Sequence, residues 1–435
     1  MVDFVSCYVD ITCSAYGRDL MRFSFIHAAD LHIGSPLAGL GLKDAAVAER
    51  FVAAGRRALE ALIDETIASN AAFLLIAGDI FDGDWKDVTT GLFFVRALGR
   101  LAREGIETFI VKGNHDAENL MSRSLPYPES VRIFGAEAAQ SFPLDAFRVM
   151  VHGRSFASRK VSDDFVASYP ARREGWLNIG VLHTALDGTR GHESYAPCSV
   201  ESLRRFNYDY WALGHIHAGE IVCREPWIVY PGNLQGRSVR ETGPKGAVRV
   251  SVEDGCICDV VPVELDRARW AHEKIDVTGC ADDTEVLARI EAQIAQIQSA
   301  AGGRPLALRI TLSGTTELHA RLVARTEEIV GDARAIGFRF AEDCWVEQVK
   351  IATEAPPKPY VAATQPDVLD IEALLAAAAS DPEFRVALKD LMGAIAEKLP
   401  RDLRGSFAAE DEALTSLARL ARDHLLGAIA TEQEP

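Results

Sequence analysis

The chain has 435 residues, 48% of them apolar, and carries 63 acidic against 46 basic side chains, a net charge of -17. That length exceeds what one hydrophobic core serves, so two or three domains are expected. The acidic balance excludes a general electrostatic grip on nucleic acid, which leans on clustered Lys and Arg.

Residues 1–20 stand apart from the rest of the chain, because Met21 opens directly onto the strand-like run Arg22 to His27. This leader reads as a mis-assigned start or a poorly ordered extension. Asp3 and Asp10 sit where a signal peptide carries positive charge, and no run reaches the roughly 18 apolar residues of a membrane span. The eight cysteines, at 7, 13, 198, 223, 256, 258, 280 and 344, include no Cys-x-x-Cys pair. They read as reduced structural thiols, with Cys256 and Cys258 assigned to packing. A cytoplasmic protein with no membrane contact is expected.

From residue 21 to about 265, short apolar runs alternate with helical patterns, which predicts α/β architecture. Phe73 to Ala77 and Thr108 to Val111 read as buried strands, and residues 86–104 between them place Leu92, Val95, Leu98 and Leu101 on one helical face. Further strands are expected at Phe147 to Val151, Ile179 to Leu182, Tyr208 to Leu213 and Trp227 to Tyr230, giving two sheet layers with helices outside. Residues 266–354 change pattern to strand, helix, strand, helix, strand, a small separate α/β domain. Pro356, Pro357 and Pro359 mark a stiff linker over 355–365. Residues 366–435 are Ala- and Leu-rich and read as helices, the last with Leu414, Leu417, Leu425 and Ile429. Residues 361–435 hold 14 acidic and 7 basic side chains, so this tail suits a protein surface better than DNA.

Five short polar clusters stand at the ends of strand-like runs: Asp30-Leu31-His32, Gly78-Asp79-Ile80-Phe81-Asp82, Gly113-Asn114-His115-Asp116, Leu182-His183-Thr184 and Gly214-His215-Ile216-His217. A sheet delivers all five to one edge, where α/β folds place their sites. They supply oxygen and imidazole ligands for two divalent ions, and two such ions clamp the attacking and leaving oxygens of a phosphoryl displacement. Asp79 follows a strand and a glycine and is the natural bridging carboxylate. Asp30 and His32, two apart on an extended strand end, share one ion with His217; Asn114, His183 and His215 surround the other. Carboxylate, amide oxygen and imidazole without thiolate favour Mn²⁺. His115, beside a ligand yet able to face substrate, is the candidate proton donor to the leaving oxygen, with Asp116 orienting its ring. Asp82 is either a support for a ligand or a turn cap. The remaining six histidines, at 27, 152, 192, 272, 319 and 424, are read as structural or surface residues.

In this order the clusters resemble the calcineurin-like metallophosphoesterases over residues 30–217. Ala28 to His32, Gly78 to Asp82 and Gly214 to His217 are similar to DNA repair exonucleases of the SbcD type, and Tyr230 to Arg237 is similar to their YhaO-like branch. The resemblance implies a four-layer αββα sandwich over 21–265, a small α/β capping domain over 266–354, and C-terminal helices that bind a partner. It implies an Mn²⁺-dependent DNA exonuclease, with endonuclease activity as an addition, acting in DNA repair. An SMC-like ATPase of the SbcC or YhaN type and a homodimer are its implied partners. Arg237 and Arg240, among the glycines of 232–246, are candidate contacts to DNA phosphates. Two other readings stand beside the nuclease: a phosphodiesterase for cyclic nucleotides or other small phosphodiesters, and a non-catalytic scaffold with this fold.

Overall fold

The computed structural model describes residues 21–35, 45–82, 88–117, 125–158, 165–186, 198–356, 374, 377, 381–398, 414–415, 417–422 and 424–425. The leader, His192, linker residues 357–365, Ile429 and much of the tail lie outside the described residues. The chain divides into two compact units, one of residues 1–35, 55–235 and 245–266, the other of 36–54, 236–244 and 267–435.

The first unit contains β1 (Arg22–Ala28), the part of α1 (Ala45–Ala68) from Gly55 onward, β2 (Phe73–Ala77), α2 (Val88–Arg103), β3 (Glu107–Val111), β4 (Val131–Ile133), β5 (Gln140–Leu144), β6 (Val149–Gly153), β7 (Leu177–His183), α3 (Val200–Arg204), β8 (Tyr210–Gly214), β9 (Glu220–Arg224), β10 (Trp227–Tyr230), β11 (Gly246–Glu253) and β12 (Cys256–Glu264). They form two six-stranded sheets, ordered β12-β11-β1-β2-β3-β4 and β5-β6-β7-β8-β10-β9. Within the first, β1 to β4 run parallel; within the second, β6, β7, β8 and β10 do. β2, β6, β7 and β8 are buried along their whole length, as strands covered on both faces must be, and this is why they read as unbroken apolar runs.

The sheets pack face to face. Phe25, Phe73, Phe109 and Val250 of one meet Val151, Ile179, Val181 and Tyr210 of the other, and Phe25 stacks on Phe73 at 4.8 Å while meeting Tyr210 edge-on at 5.4 Å. The other face of the first sheet is covered by Leu59 and Leu62 of α1 and by Phe94, Leu98 and Leu101 of α2. Leu92, expected on that buried face, is exposed, because Gly91, Phe94, Leu98 and Leu101 set the inward stripe. The outer layer of the second sheet is thin: α3 has only five residues, and the stacked rings of Tyr208 and Trp211 do much of the covering. The hairpin of β11 and β12, not anticipated from periodicity, closes the first sheet on β1; its Asp254-Gly255 turn, with φ of 50° and 78°, is the signal that marks it.

The second unit holds a parallel sheet of β13 (Arg269–Asp276), β14 (Leu306–Thr315) and β15 (Cys344–Glu354), connected by α4 (Asp283–Ala301), α5 (His319–Ala324) and α6 (Thr326–Phe340). Ile290 and Ile294 of α4 and Ala333 and Ile336 of α6 pack on Leu308, Ile310 and Val346. Phe51, Ala54, Trp270, Ala307 and Trp345 make a separate apolar cluster in the same unit. α7 (Pro382–Lys398) buries no side chain among the described residues. In the tail Leu414 and Ala418 are buried while Leu425 is exposed. Among the described residues no helix is long and apolar enough to cross a membrane.

Cys256 and Cys258 are exposed on β12, so packing does not account for them; Cys198, Cys280 and Cys344 are buried thiols. His152 bonds Ser141 and Asn178, His272 bonds Thr311 and His319 bonds Thr353, as structural residues do.

His27 lies fully buried between the sheets, its Nδ1 3.0 Å from the Tyr210 hydroxyl and its Nε2 3.2 Å from the Leu213 carbonyl. Those partners suit a neutral ring with one donor and one acceptor nitrogen, and burial pushes its pKa down from 6.5 to about 3. The unfolded chain therefore takes up a proton below pH 6.5 that the folded chain refuses until about pH 3, and stability falls on acidification through that window. Unfolding in denaturant at pH 7 and pH 5 is expected to show a loss of about 2 kcal/mol from this ring alone, a loss absent in His27→Gln.

Candidate metal centre

Parallel strands bring their C-terminal ends to one edge, and the polar clusters sit there. Asp30 and His32 follow β1, Asp79 follows β2, Asn114 and His115 follow β3, His183 ends β7, and His215 and His217 follow β8. Backbone bonds from Asp30 N–H to Gly78 O and from His32 N–H to Asp79 O lace the first two segments together.

The segment after β1 is not extended, as the sequence suggested. Asp30 and His32 have φ of 51° and 42°, Asp79 has 52° and His215 has 98°, all in the left-handed region that residues other than glycine seldom adopt. Left-handed turns bend the chain back over the strand ends, so that ligands from different strands converge; such strain collects at functional sites. Two glycines make room for them. A Cβ on Gly78, itself at φ 95°, would stand 2.4 Å from His183 Nδ1, and one on Gly113 would stand 2.2 Å from Asp79 Oδ1.

The side chains form two neighbouring groups, and a third, of His32, Asp82 and His115, shares His32 with the first. Asp30, His32 and His217 offer ligand atoms within 4.8 Å of one another, and so do Asp79, His183 and His215. Asn114 Oδ1 joins the second group, 3.0 Å from His183 Nε2. Asp79 Oδ2 lies between the groups, 3.4 Å from His183 Nε2 and 3.9 Å from His32 Nε2. His32 Nε2 and His217 Nε2 face each other at 3.2 Å. Atoms sharing one ion at about 2.1 Å stand roughly 3.0 to 3.5 Å apart, so these residues could hold two neighbouring divalent ions, with Asp79 placed where it would reach either. When bound, such ions neutralise phosphoryl charge and activate water.

Supporting contacts fix the ligands. His183 Nδ1 is 2.9 Å from the Ala77 carbonyl, which receives its proton and turns Nε2 toward Asp79. Asp30 accepts the His215 N–H at 2.9 Å, and Asp79 Oδ1 accepts the His115 N–H at 3.0 Å. Lys245 Nζ donates to the His217 carbonyl at 2.9 Å, a support that sequence reading missed.

Asp116 does not orient His115. Its carboxylate is buried and accepts the backbone N–H groups of Ile80, Phe81 and Gly113 at 3.0 to 3.1 Å, tying the turn after β2 to the turn after β3. The group beside His115 is Asp82, whose Oδ1 is 3.2 Å from His115 Nδ1 and 3.6 Å from His32 Nδ1; Ser35 donates to its other oxygen at 2.6 Å. His115 Nε2 then points back toward Asp79 Oδ2, 4.0 Å away. Its side chain is 38% exposed, against 20% for His217 and Asp82 and at most 2% for Asp30, His32, Asp79 and His183, so it is the most accessible of these groups to substrate.

Arg237 and Arg240 belong to the second unit. Arg237 pairs with Glu241, guanidinium to carboxylate at 3.0 Å, and its N–H bonds the same carboxylate at 2.7 Å; Arg240 is exposed.

Burial would raise the Asp79 carboxyl, yet His183, His32 and His115 hold it well below the usual carboxylate range. Burial acts to lower His183, but Asp79 and then Asp30 outweigh it and push it up to about 9. Asp82 is also held low against its burial, by His115, His32 and Ser35. Asp116 is pushed up to about 6 by burial and by Asp79. The cluster therefore attracts positive charge strongly, whether as protons or as ions.

The comparisons with known proteins agree with this geometry. A model of the calcineurin-like phosphoesterases matches residues 23–219, and one of the middle domain of metallophosphoesterase YhaO matches 270–354. The uncharacterized metallophosphoesterase YhaO of Bacillus subtilis is 32% identical over 303 residues, 68% of this chain and 73% of that protein. The chain belongs to the calcineurin-like metallophosphoesterases. This metallophosphoesterase is also 25% identical over 298 residues to the DNA double-strand break repair protein Mre11 of Methanopyrus kandleri, a match spanning 61% of each chain. A solved dimetal phosphatase from Danio rerio, 12% identical, overlays 56% of the metallophosphoesterase and 99% of its own chain with a TM-score of 0.34, too loose to carry weight.

Two outcomes are expected for ion binding. Because His183 holds a proton up to about pH 9 before an ion enters, uptake of Mn²⁺ at pH 7 should release that proton and weaken as pH falls; titration calorimetry in two buffers of different ionisation enthalpy reads the released proton. Gly113→Ala, which displaces Asp79 while removing no ligand, should cost about 10- to 100-fold in Mn²⁺ affinity in the same titration.

Proposed function

We propose that this metallophosphoesterase is a metal-dependent DNA nuclease, hydrolysing phosphodiester bonds with Mn²⁺ as its native ion. The observation that carries the reading is the exposed His115, held by Asp82 on one nitrogen and presenting the other beside the bridging Asp79. The ring, kept protonated by the Asp82 carboxylate beside Nδ1, donates from Nε2 to the leaving oxygen and is left as the neutral Nδ1–H tautomer that Asp82 holds. Asp30, His32, Asp79 and His183 are buried beneath it, while His115 is open to an incoming phosphodiester.

DNA as the substrate is supported by the likeness to proteins named for DNA double-strand break repair and by the YhaO-type middle domain over 270–354. Mn²⁺ is supported by the mixed imidazole, carboxylate and amide donors. The net charge of -17 supports one further element, a partner that supplies basic surface. An SMC-like ATPase, engaged through the C-terminal helices, suits that role.

Purified protein with end-labelled linear DNA and Mn²⁺ should trim the strand, and EDTA should stop it. His115→Ala should lower kcat about 10²- to 10⁴-fold with Mn²⁺ uptake unchanged. Intact DNA beside rapid turnover of a cyclic nucleotide or another small phosphodiester would overturn the nuclease reading in favour of a small-substrate enzyme.

A further inference from the structure

The edge that carries the metal ligands also carries a cavity of about 520 Å³, lined by the chain after β3, β4 and β6. Its wall is continuous with the ligand loop. Lys112 immediately precedes Gly113-Asn114-His115, and Ala117 immediately follows Asp116. Phe156 is the partition: its N–H donates to the Lys112 carbonyl at 3.0 Å, and its ring meets His183 edge-on at 5.7 Å. The cavity is thus one side chain away from the second group of ligands.

Its chemistry is that of a flat, hydrogen-bonding guest. Ile133, Phe134, Ala136, Ala138 and Ala157 give apolar surface, while Gln140, Glu137 and the backbone of Gly135 to Ala138 give polar edges. The Gln140 carbonyl accepts the Gly135 N–H at 2.7 Å, which holds the amide across the turn. Ser155 Oγ donates to Phe134 O at 2.6 Å and accepts the Lys112 N–H at 2.9 Å, so the strand ends around the cavity are braced. Lys112 is the one basic residue of the lining among the described residues. The volume falls in the range of small-molecule sites and exceeds what an isolated phosphate needs.

We propose that this cavity binds the nucleoside next to the scissile phosphate, its base between the apolar wall and the Gln140 amide and its phosphate toward Lys112 and the metal ligands. The inference rests on the nuclease reading for its substrate, but it names a separate site with a separate readout. Such a site selects nucleotides over other phosphate esters, because binding energy from the base positions the reacting phosphate.

The test is calorimetric binding of deoxyadenosine 5′-monophosphate, deoxyribose 5-phosphate and inorganic phosphate to the Mn²⁺-loaded full chain, wild type, Ala138→Trp and Gln140→Ala. Ala138 is exposed, so the tryptophan fills the cavity without entering the core. The nucleotide should bind at least about ten-fold tighter than the base-free sugar phosphate. Ala138→Trp should erase that gap and Gln140→Ala should narrow it, with phosphate affinity unchanged in both. No gap in the wild type, or a gap that survives Ala138→Trp, overturns the site whether or not DNA is cut. A gap erased by Ala138→Trp in a protein that leaves DNA intact supports the site and overturns only the nuclease reading.

Discussion

The site depends on one buried carboxylate and the positive charge it demands. Asp79 stands at the end of β2 with almost none of its side chain in water, where an ionised oxygen is costly unless compensated. His32, His115 and His183 surround it with positive charge when protonated, and the spacing of their nitrogens lets ions take the protons' place. Charge demand also explains the left-handed backbone at Asp30, His32, Asp79 and His215: convergence on one point is worth more than relaxed turns. The two facing sheets hold that strain, since neither can shift without opening the apolar interface of Phe25, Phe73 and Tyr210.

Much of this was legible in the residues, for a physical reason. Buried parallel strands must be continuously apolar, and ligands must follow them directly, so a polar cluster after an apolar run carries both fold and chemistry. The choice between Asp82 and Asp116 as partner of His115 was not legible, because sequence adjacency favours Asp116 while the turn after β3 directs it to backbone N–H groups. The conformation of Asp30 and His32 was hidden for a similar reason: strand periodicity predicts extension, and only the closure of several loops on one point overrides it. β12 was missed because Cys256, Cys258 and Pro262 break the apolar alternation of an exposed edge strand.

Acidity and function are reconciled at different scales. Over the whole chain negative charge discourages DNA, but at the ligand edge the same sign recruits divalent ions, and ions reverse the local field. A metallophosphoesterase of this design attracts phosphoesters only where it is loaded. That confines phosphoester chemistry to one edge.

The division of the chain into units has its own consequence. Residues 36–54 and 236–244 belong to the second unit although both lie within the span of the first, so the polypeptide leaves the first unit and returns to it twice before departing at Arg267. Phe51 and Ala54 pack with Trp270, Ala307 and Trp345, a contact that joins residues more than two hundred positions apart. The second unit is therefore no detachable bead. No single cut separates the two, and recombination that exchanged residues 267–435 for those of a relative would have to carry Phe51 and its neighbours with them, so the halves of this protein are bound to change together.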